Sequence, residues 1–134
     1  MPALTSDRKT ARRLGRAHMY PVSAGIVIFG GGMAAINTLG FAVPASAIAT
    51  LKVVGICQEQ VTGASPNGAS SVTVFRDAAY LANSTAGDLI TLADVGASCF
   101  AADDQTVAKT NGSSTRPVAG KIINVDANGV LVEF

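Results

Sequence analysis

Turn-forming residues interrupt this sequence so often that no long regular element fits between them. After Pro21 the apolar residues fall into short runs rich in Val and Ile, and Gly, Pro, Asn or Asp ends each run. Such runs are typical of β-strands, because β-branched side chains pack well on a pleated surface. About eight to ten runs at spacings of roughly 8 to 12 residues predict an all-β fold, a compact small barrel or sandwich of short strands.

Local signals also predict how some of these strands connect. Residues 26–29 and 33–36 flank the glycines at 30–32, which predicts two strands joined by a tight glycine turn. The Asp-Ala-Asn-Gly sequence at 126–129 predicts a hairpin turn into a terminal strand at 130–134. We expect that terminal strand to be able to pair with the exposed sheet edge of a partner.

Charge divides the chain into two parts. Residues 1–20 carry five basic side chains and one acid, whereas residues 21–134 carry five basic side chains and eight acids. The first segment has no apolar periodicity, so we predict an extended basic N-terminal arm that is disordered in isolation. The remainder is long enough for one hydrophobic core and is predicted to be a single β-rich body. The basic residues of the arm are Arg8, Lys9, Arg12, Arg13 and Arg16.

The reactive residue types are sparse and scattered. Cys57 and Cys99 lie in apolar runs without metal-binding spacing, which predicts buried free thiols and leaves a disulfide as the alternative. Asp103 and Asp104 are adjacent, and adjacent side chains point to opposite sides of an extended backbone, which disfavours a metal site or an acid pair. We predict that these two residues form a turn. His18 is the sole imidazole. We therefore expect no enzyme activity, no catalytic or metal-binding residue and no cofactor.

The N-terminal part imitates an export signal. Basic residues through Arg16 precede the apolar stretch 22–35, and residues 45–47 resemble a cleavage site. However, the glycines at 30–32 make this stretch a poor helix, and about 15 residues are too few to span a bilayer. We expect a protein of cytosolic origin without a membrane partner, with a secreted or periplasmic β-domain released after Ala47 as an alternative.

Several stretches together resemble a family of small proteins from tailed bacteriophages. These proteins are encoded beside the major capsid protein and are taken to be capsid cement, or head decoration, proteins. The similarity covers most of the chain, and its motifs are turn sequences and not catalytic signatures. The stretches are TSDRKT at 5–10 followed by Arg12 and Arg13, DDQTVAKTNG at 103–112, RPVAG at 116–120 and VDANGV at 125–130.

The resemblance implies a structural virion protein. Its β-rich body would bind the outer capsid surface and bridge major capsid subunits. The protein would be synthesised in the bacterial host cytoplasm, and its role would involve no catalysed reaction and no cofactor. Self-association as a dimer or trimer on the capsid stays open. We expect the capsid contacts to be made by Arg8, Lys9, Arg12, Arg13, Arg16 and Tyr20.

A nucleic-acid-binding β-domain that uses the same basic arm is the main alternative. Basic side chains neutralise phosphates as readily as carboxylates. Nucleic-acid binding is less favoured because Tyr20 is the one aromatic platform that the arm offers. Under the capsid interpretation, deletion of residues 1–20 should leave a folded body that no longer binds capsids.

Overall fold

The chain folds into short strands with almost no helix. In a computed structural model, the described residues are Ala3, Thr5, Ser6, Arg8, Lys9 and 16–134. Short 3₁₀ turns at Ala86–Asp88 and Leu92–Asp94 lie between the eighth and ninth strands. The strands are β1 (Ala17–Pro21), β2 (Val27–Ile28), β3 (Met33–Ile36), β4 (Ala42–Pro44), β5 (Lys52–Cys57), β6 (Val61–Thr62), β7 (Ser71–Phe75), β8 (Ala79–Asn83), β9 (Ser98–Ala101), β10 (Thr106–Ala108), β11 (Val118–Asp126) and β12 (Gly129–Glu133).

These strands form one open sheet, one closed barrel and a small two-stranded ribbon. The sheet has the order β1-β7-β5-β3-β4, and each neighbouring pair is antiparallel. The barrel has the order β10-β8-β12-β11-β9 and is antiparallel except for the parallel pair β8–β10. Strands β2 and β6 pair separately. The predicted all-β class is confirmed.

Strand β3 separates two hydrophobic cores. Successive side chains of a strand point to opposite faces, and here Met33 and Ala35 enter one core while Ala34 enters the other. The first, the barrel core, fills the barrel and packs against the sheet, and it includes Leu81, Cys99, Val107, Ile122, Val130 and Val132. The second, the sheet core, lies on the opposite face and comprises Val22, Ile28, Ala34, Ala42, Cys57, Val72 and Val74.

The predicted glycine hairpin between β2 and β3 is wrong. Strand β2 pairs with β6, whereas β3 pairs with β4 and β5. The glycine segment bonds to the end of β5: the Gly31 N–H donates to the Cys57 carbonyl and the Cys57 N–H donates to the Gly32 carbonyl, both at 2.8 Å. These bonds place the glycine segment beside the end of β5, so β2 and β3 do not pair with each other.

The predicted turn of the C-terminal hairpin is confirmed, whereas the predicted free edge of its terminal strand is not. Strands β11 and β12 pair through the turn, with Asp126 opposite Gly129. Strand β12 also pairs with β8 along Val130 to Val132, so both of its edges are occupied. The expectation that this strand offers an edge to a partner is therefore wrong, because barrel closure uses it internally.

Gly55 permits the close approach of β5 and β7. It is buried in β5, where the register against β3 shifts, and its φ is +148°, a backbone conformation that L side chains rarely adopt. A Cβ at this position would lie 2.4 Å from the Phe75 carbonyl oxygen. Because backbone cannot move aside as a flexible side chain does, this contact admits only glycine.

We expect Gly55→Ala to lower the free energy of unfolding by about 2–4 kcal/mol, since it combines backbone strain with overpacking. Urea denaturation followed by circular dichroism measures this change. Gly87→Ala is the matched control, because a Cβ there meets no atom within 4 Å, and its effect should stay within about 0.5 kcal/mol. Equal stability of Gly55→Ala and Gly87→Ala would contradict the requirement for glycine at position 55.

Candidate binding surface

The basic residues before position 16 are partly described by the structure. Arg8 and Lys9 are exposed. Arg12 and Arg13 lie outside the described residues. The predicted contact role of these four residues stays a prediction that rests on sequence.

Strand β1 anchors the arm to the body. It pairs with β7 along its whole length, from Ala17 opposite Phe75 to Pro21 opposite Ser71. The pairing extends at both ends: the Arg76 N–H donates to the Arg16 carbonyl at 2.9 Å, and the Val22 N–H donates to the Ser70 carbonyl at 2.8 Å. The sheet thus begins at residue 17, four residues before the body that the sequence suggested.

Tyr20 belongs to this anchor. Its side chain is half-buried and packs against the sheet core. His18, which the sequence suggested to lie in the arm, is also half-buried on β1. Deleting residues 1–20 would remove an edge strand and strip the main-chain partners from β7, so a folded body after that deletion is not expected.

Arg16 directly precedes β1 and forms an ion pair with the body. Its guanidinium lies 3.1 Å from the Asp77 carboxylate, with 80% and 43% of the two side chains exposed. An exposed pair of this kind contributes about 0.2–1 kcal/mol. The main-chain pairing of β1 is therefore the stronger attachment, and Arg16 keeps much of its surface available to a partner.

A cleft that the sequence did not suggest lies between the sheet and the barrel. It encloses about 550 Å3 and is bordered by the start of β5, the loop before β11 and the last residue, Phe134. Lys52, Arg76 and Arg116 supply its charge, and among the described residues that line it there is no acidic side chain. We call it the cationic cleft. Its apolar lining consists of Ala49, Leu51, Val53, Phe100, Pro117, Val118, Ala119 and Phe134.

The cationic cleft continues toward the arm. A neighbouring depression of about 330 Å3 shares Arg76 and Phe134 with it and also contacts Arg16, Asp77 and Glu133. The surface that runs from the exit of the arm to the loop before β11 is therefore continuous. Sequence reasoning missed it because its cations, Lys52, Arg76 and Arg116, are distant from one another in sequence and share no motif.

The loop that forms one wall of the cationic cleft is held by an ionic network. The Arg116 guanidinium donates to the Asp88 carboxylate and to the Thr110 carbonyl, each at 3.2 Å. The Thr110 hydroxyl donates to the other Asp88 oxygen. Hydrogen bonding from Thr110, followed by Arg116, holds the pKa of Asp88 below its usual value despite partial desolvation.

A second ion pair connects the same loop to the 3₁₀ turn at Leu92–Asp94. The Lys109 ammonium lies 3.5 Å from Asp94, whose carboxylate also accepts from the Thr91 N–H at 2.9 Å. The Thr91 hydrogen bond, supported by Lys109, lowers the pKa of Asp94. Both connections restrict the loop that carries Arg116, so the wall of the cleft is preorganised.

Two further carboxylates, those of Asp103 and Asp126, have structural partners. Asp103 accepts from the N–H groups of Gln105 and Thr106 at 2.9 and 2.8 Å, which confirms the predicted turn. Asp126 accepts from the Asn128 N–H at 2.7 Å and from the Tyr80 hydroxyl at 2.8 Å. No group of three or more His, Cys, Asp or Glu in the described part of the chain is placed to hold a metal ion.

The two cysteines are buried free thiols, as predicted. Cys57 lies in the sheet core and Cys99 in the barrel core. Burial raises the pKa of Cys57, and it raises the pKa of Cys99 to about 11. Because thiolate is the nucleophilic form, both side chains act here as small apolar residues.

Comparison of the chain with protein-family models, curated proteins and solved structures gave no match. Within the described residues, no helix is both long and apolar enough to cross a membrane. The resemblance to capsid cement proteins accordingly stays a prediction from the sequence.

We expect Asp88→Asn to weaken the pH dependence of stability at acidic pH. A carboxylate with a depressed pKa stabilises the fold above its unfolded pKa of about 3.9, and this contribution is lost as pH falls through the folded pKa. The stability gap between wild type and Asp88→Asn should therefore narrow from about pH 6 to pH 3 in urea denaturation.

Glu59→Gln provides the control, since this exposed carboxylate forms no ion pair within residues 16–134. Its gap from wild type should change little over the same range. A gap that stays constant from pH 6 to pH 3 would show that the ionisation of Asp88 does not contribute to folding.

We expect neither thiol to react with Ellman's reagent at about pH 8 in the native protein, because both are buried and protonated. After denaturation two thiols per chain should react at once, and absorbance at 412 nm measures both states. Rapid labelling of the native protein would contradict the burial of the reacting cysteine.

Proposed function

We propose that this protein is a structural, non-enzymatic component of a tailed-phage head, a cement protein that binds the outer capsid surface and bridges neighbouring major capsid subunits. The observation that carries the proposal is the anchoring of a basic arm by β1. When a partner binds the arm, the β1–β7 main-chain hydrogen bonds connect that partner to the folded body. Such a tether transmits load between the two surfaces that it joins.

The charge of the arm suits an acidic protein surface. Its five basic side chains include four arginines, whose planar guanidinium groups form paired hydrogen bonds with carboxylates. An arm that orders on binding loses conformational entropy, but it covers a long stretch of the partner per residue. Weak contacts suffice in this role, because the symmetry of a shell repeats each of them many times.

Deletion of residues 1–15 tests the role of the arm without removing β1. We expect the truncated chain to remain folded, because β1 and Arg16 are retained, and to lose at least tenfold in affinity for the capsid. The measurement is co-sedimentation with purified undecorated heads of the phage that encodes the chain, with circular dichroism as the test of folding.

A shorter deletion gives the matched control. Removing residues 1–7 takes away no basic side chain and should preserve binding. Full occupancy of heads by the 1–15 deletion would overturn the role of the arm. Failure of the intact protein to sediment with heads, together with DNA binding that weakens steeply as salt rises, would instead favour the nucleic-acid alternative.

A further inference from the structure

The cations of the body are concentrated on one surface. Residues 21–134 carry five basic side chains, Lys52, Arg76, Lys109, Arg116 and Lys121, against eight acids. Three of the five line the cationic cleft, although the body as a whole is acidic. The cleft is therefore a local region of positive potential on an acidic body.

Two of these cations are available for a ligand. Lys52 and Arg76 are exposed, and neither forms an ion pair with a carboxylate of residues 16–134. Arg116 differs, because its guanidinium is committed to Asp88 and Thr110 and fixes the wall. A bound carboxylate would therefore meet Lys52 and Arg76, while Arg116, whose charge is compensated by Asp88, holds the wall in place.

The floor of the cationic cleft is apolar and accessible. Val118 is 54% exposed, and Phe100 and Phe134 are half-buried beside it. The volume of about 550 Å3 falls within the range of about 300–1,000 Å3 found for ligand pockets. A suitable ligand thus combines negative charge with apolar side chains, and the neighbouring depression at Arg16, which shares Arg76 and Phe134 with the cleft, favours a chain over a compact molecule.

Charge excludes the chain's own arm as the occupant. The arm carries five basic side chains and one acid, so it would be repelled by the cations of the cleft. A nucleic acid is also disfavoured. Phosphodiesters gain affinity through many cation contacts, whereas Lys52 and Arg76 are the two cations without an ion pair among the described residues that line this cleft.

We propose that the cationic cleft binds an extended acidic segment of a partner protein, with its carboxylates on Lys52 and Arg76 and its apolar side chains on the floor around Val118. The inference follows from the charge and shape of the body, and it holds whether or not the partner is a capsid subunit. Because the cleft continues to Arg16, one partner can engage the arm and the cleft together.

A peptide titration tests the proposal on the full chain. The probe is a synthetic pool of hexapeptides with Asp or Glu at alternate positions and Leu, Val or Phe between them. We expect the pool to shift the ¹⁵N–¹H signals of residues 49–53, 76 and 116–120. A matched pool with Asn and Gln in place of the acids should bind at least tenfold more weakly.

Paired variants separate the cleft from total charge. The double variant Lys52→Gln with Arg76→Gln should weaken binding of the acidic pool at least tenfold. The control, Lys121→Gln, is matched to the single variant Lys52→Gln: each removes one positive charge, but Lys121 lies outside the cleft, and the affinity of its variant should change less than twofold. The spectrum of each free variant reports its folding, and Lys52→Gln alone replaces the double variant if that variant unfolds.

Three results would each overturn the proposal: no shifts in the cleft at millimolar peptide, equal binding of the amide pool, or displacement of the acidic pool by a single-stranded oligonucleotide at lower concentration. The experiment contains no phage heads. Its failure is therefore distinguishable from failure of the proposed function, which the sedimentation of the 1–15 deletion tests separately.

Discussion

The packing of β3 on both faces is the constraint on which the rest of the fold depends. Met33 and Ala35 contribute to the barrel core, Ala34 contributes to the sheet core, and all three are fully buried. The strand is also paired on both edges, with β4 and β5. Since side chains alternate between faces, a slip of one residue would exchange the contents of the two cores.

Two positively charged features with different origins meet at the same side of the molecule. The arm is basic in sequence, and its last basic residue, Arg16, directly precedes β1. The cationic cleft is basic because the sheet and barrel juxtapose Lys52, Arg76 and Arg116, and no acidic side chain is among the described residues that line it. Arg16 and Arg76 line one depression. The molecule thus combines an extended contact segment with a shaped site, an arrangement that suits attachment to a protein surface.

Local sequence signals predicted elements well and pairings poorly. The strand at Met33–Ile36, the hairpin turn at 126–129 and the turn at Asp103 all correspond to the structure. The glycine hairpin failed because its N–H and carbonyl groups bond to β5, which is distant in sequence. Tyr20 illustrates the same limit, because its half-buried place in the sheet depends on the pairing of β1 with β7. Pairing depends on long-range contacts that residue patterns do not encode locally.

The sequence by itself determined the class of fold, the positions of most strands and turns, the burial of both cysteines and the basic character of the arm. Each of these follows from properties of neighbouring residues: β-branched runs, turn residues, apolar context and charge. Only the tertiary structure decided that β1 belongs to the sheet, that β12 is enclosed in a barrel and that three separated cations share one cleft. The physical reason is that side chains from distant strands acquire a common environment only when the backbone hydrogen bonds fix the order of those strands.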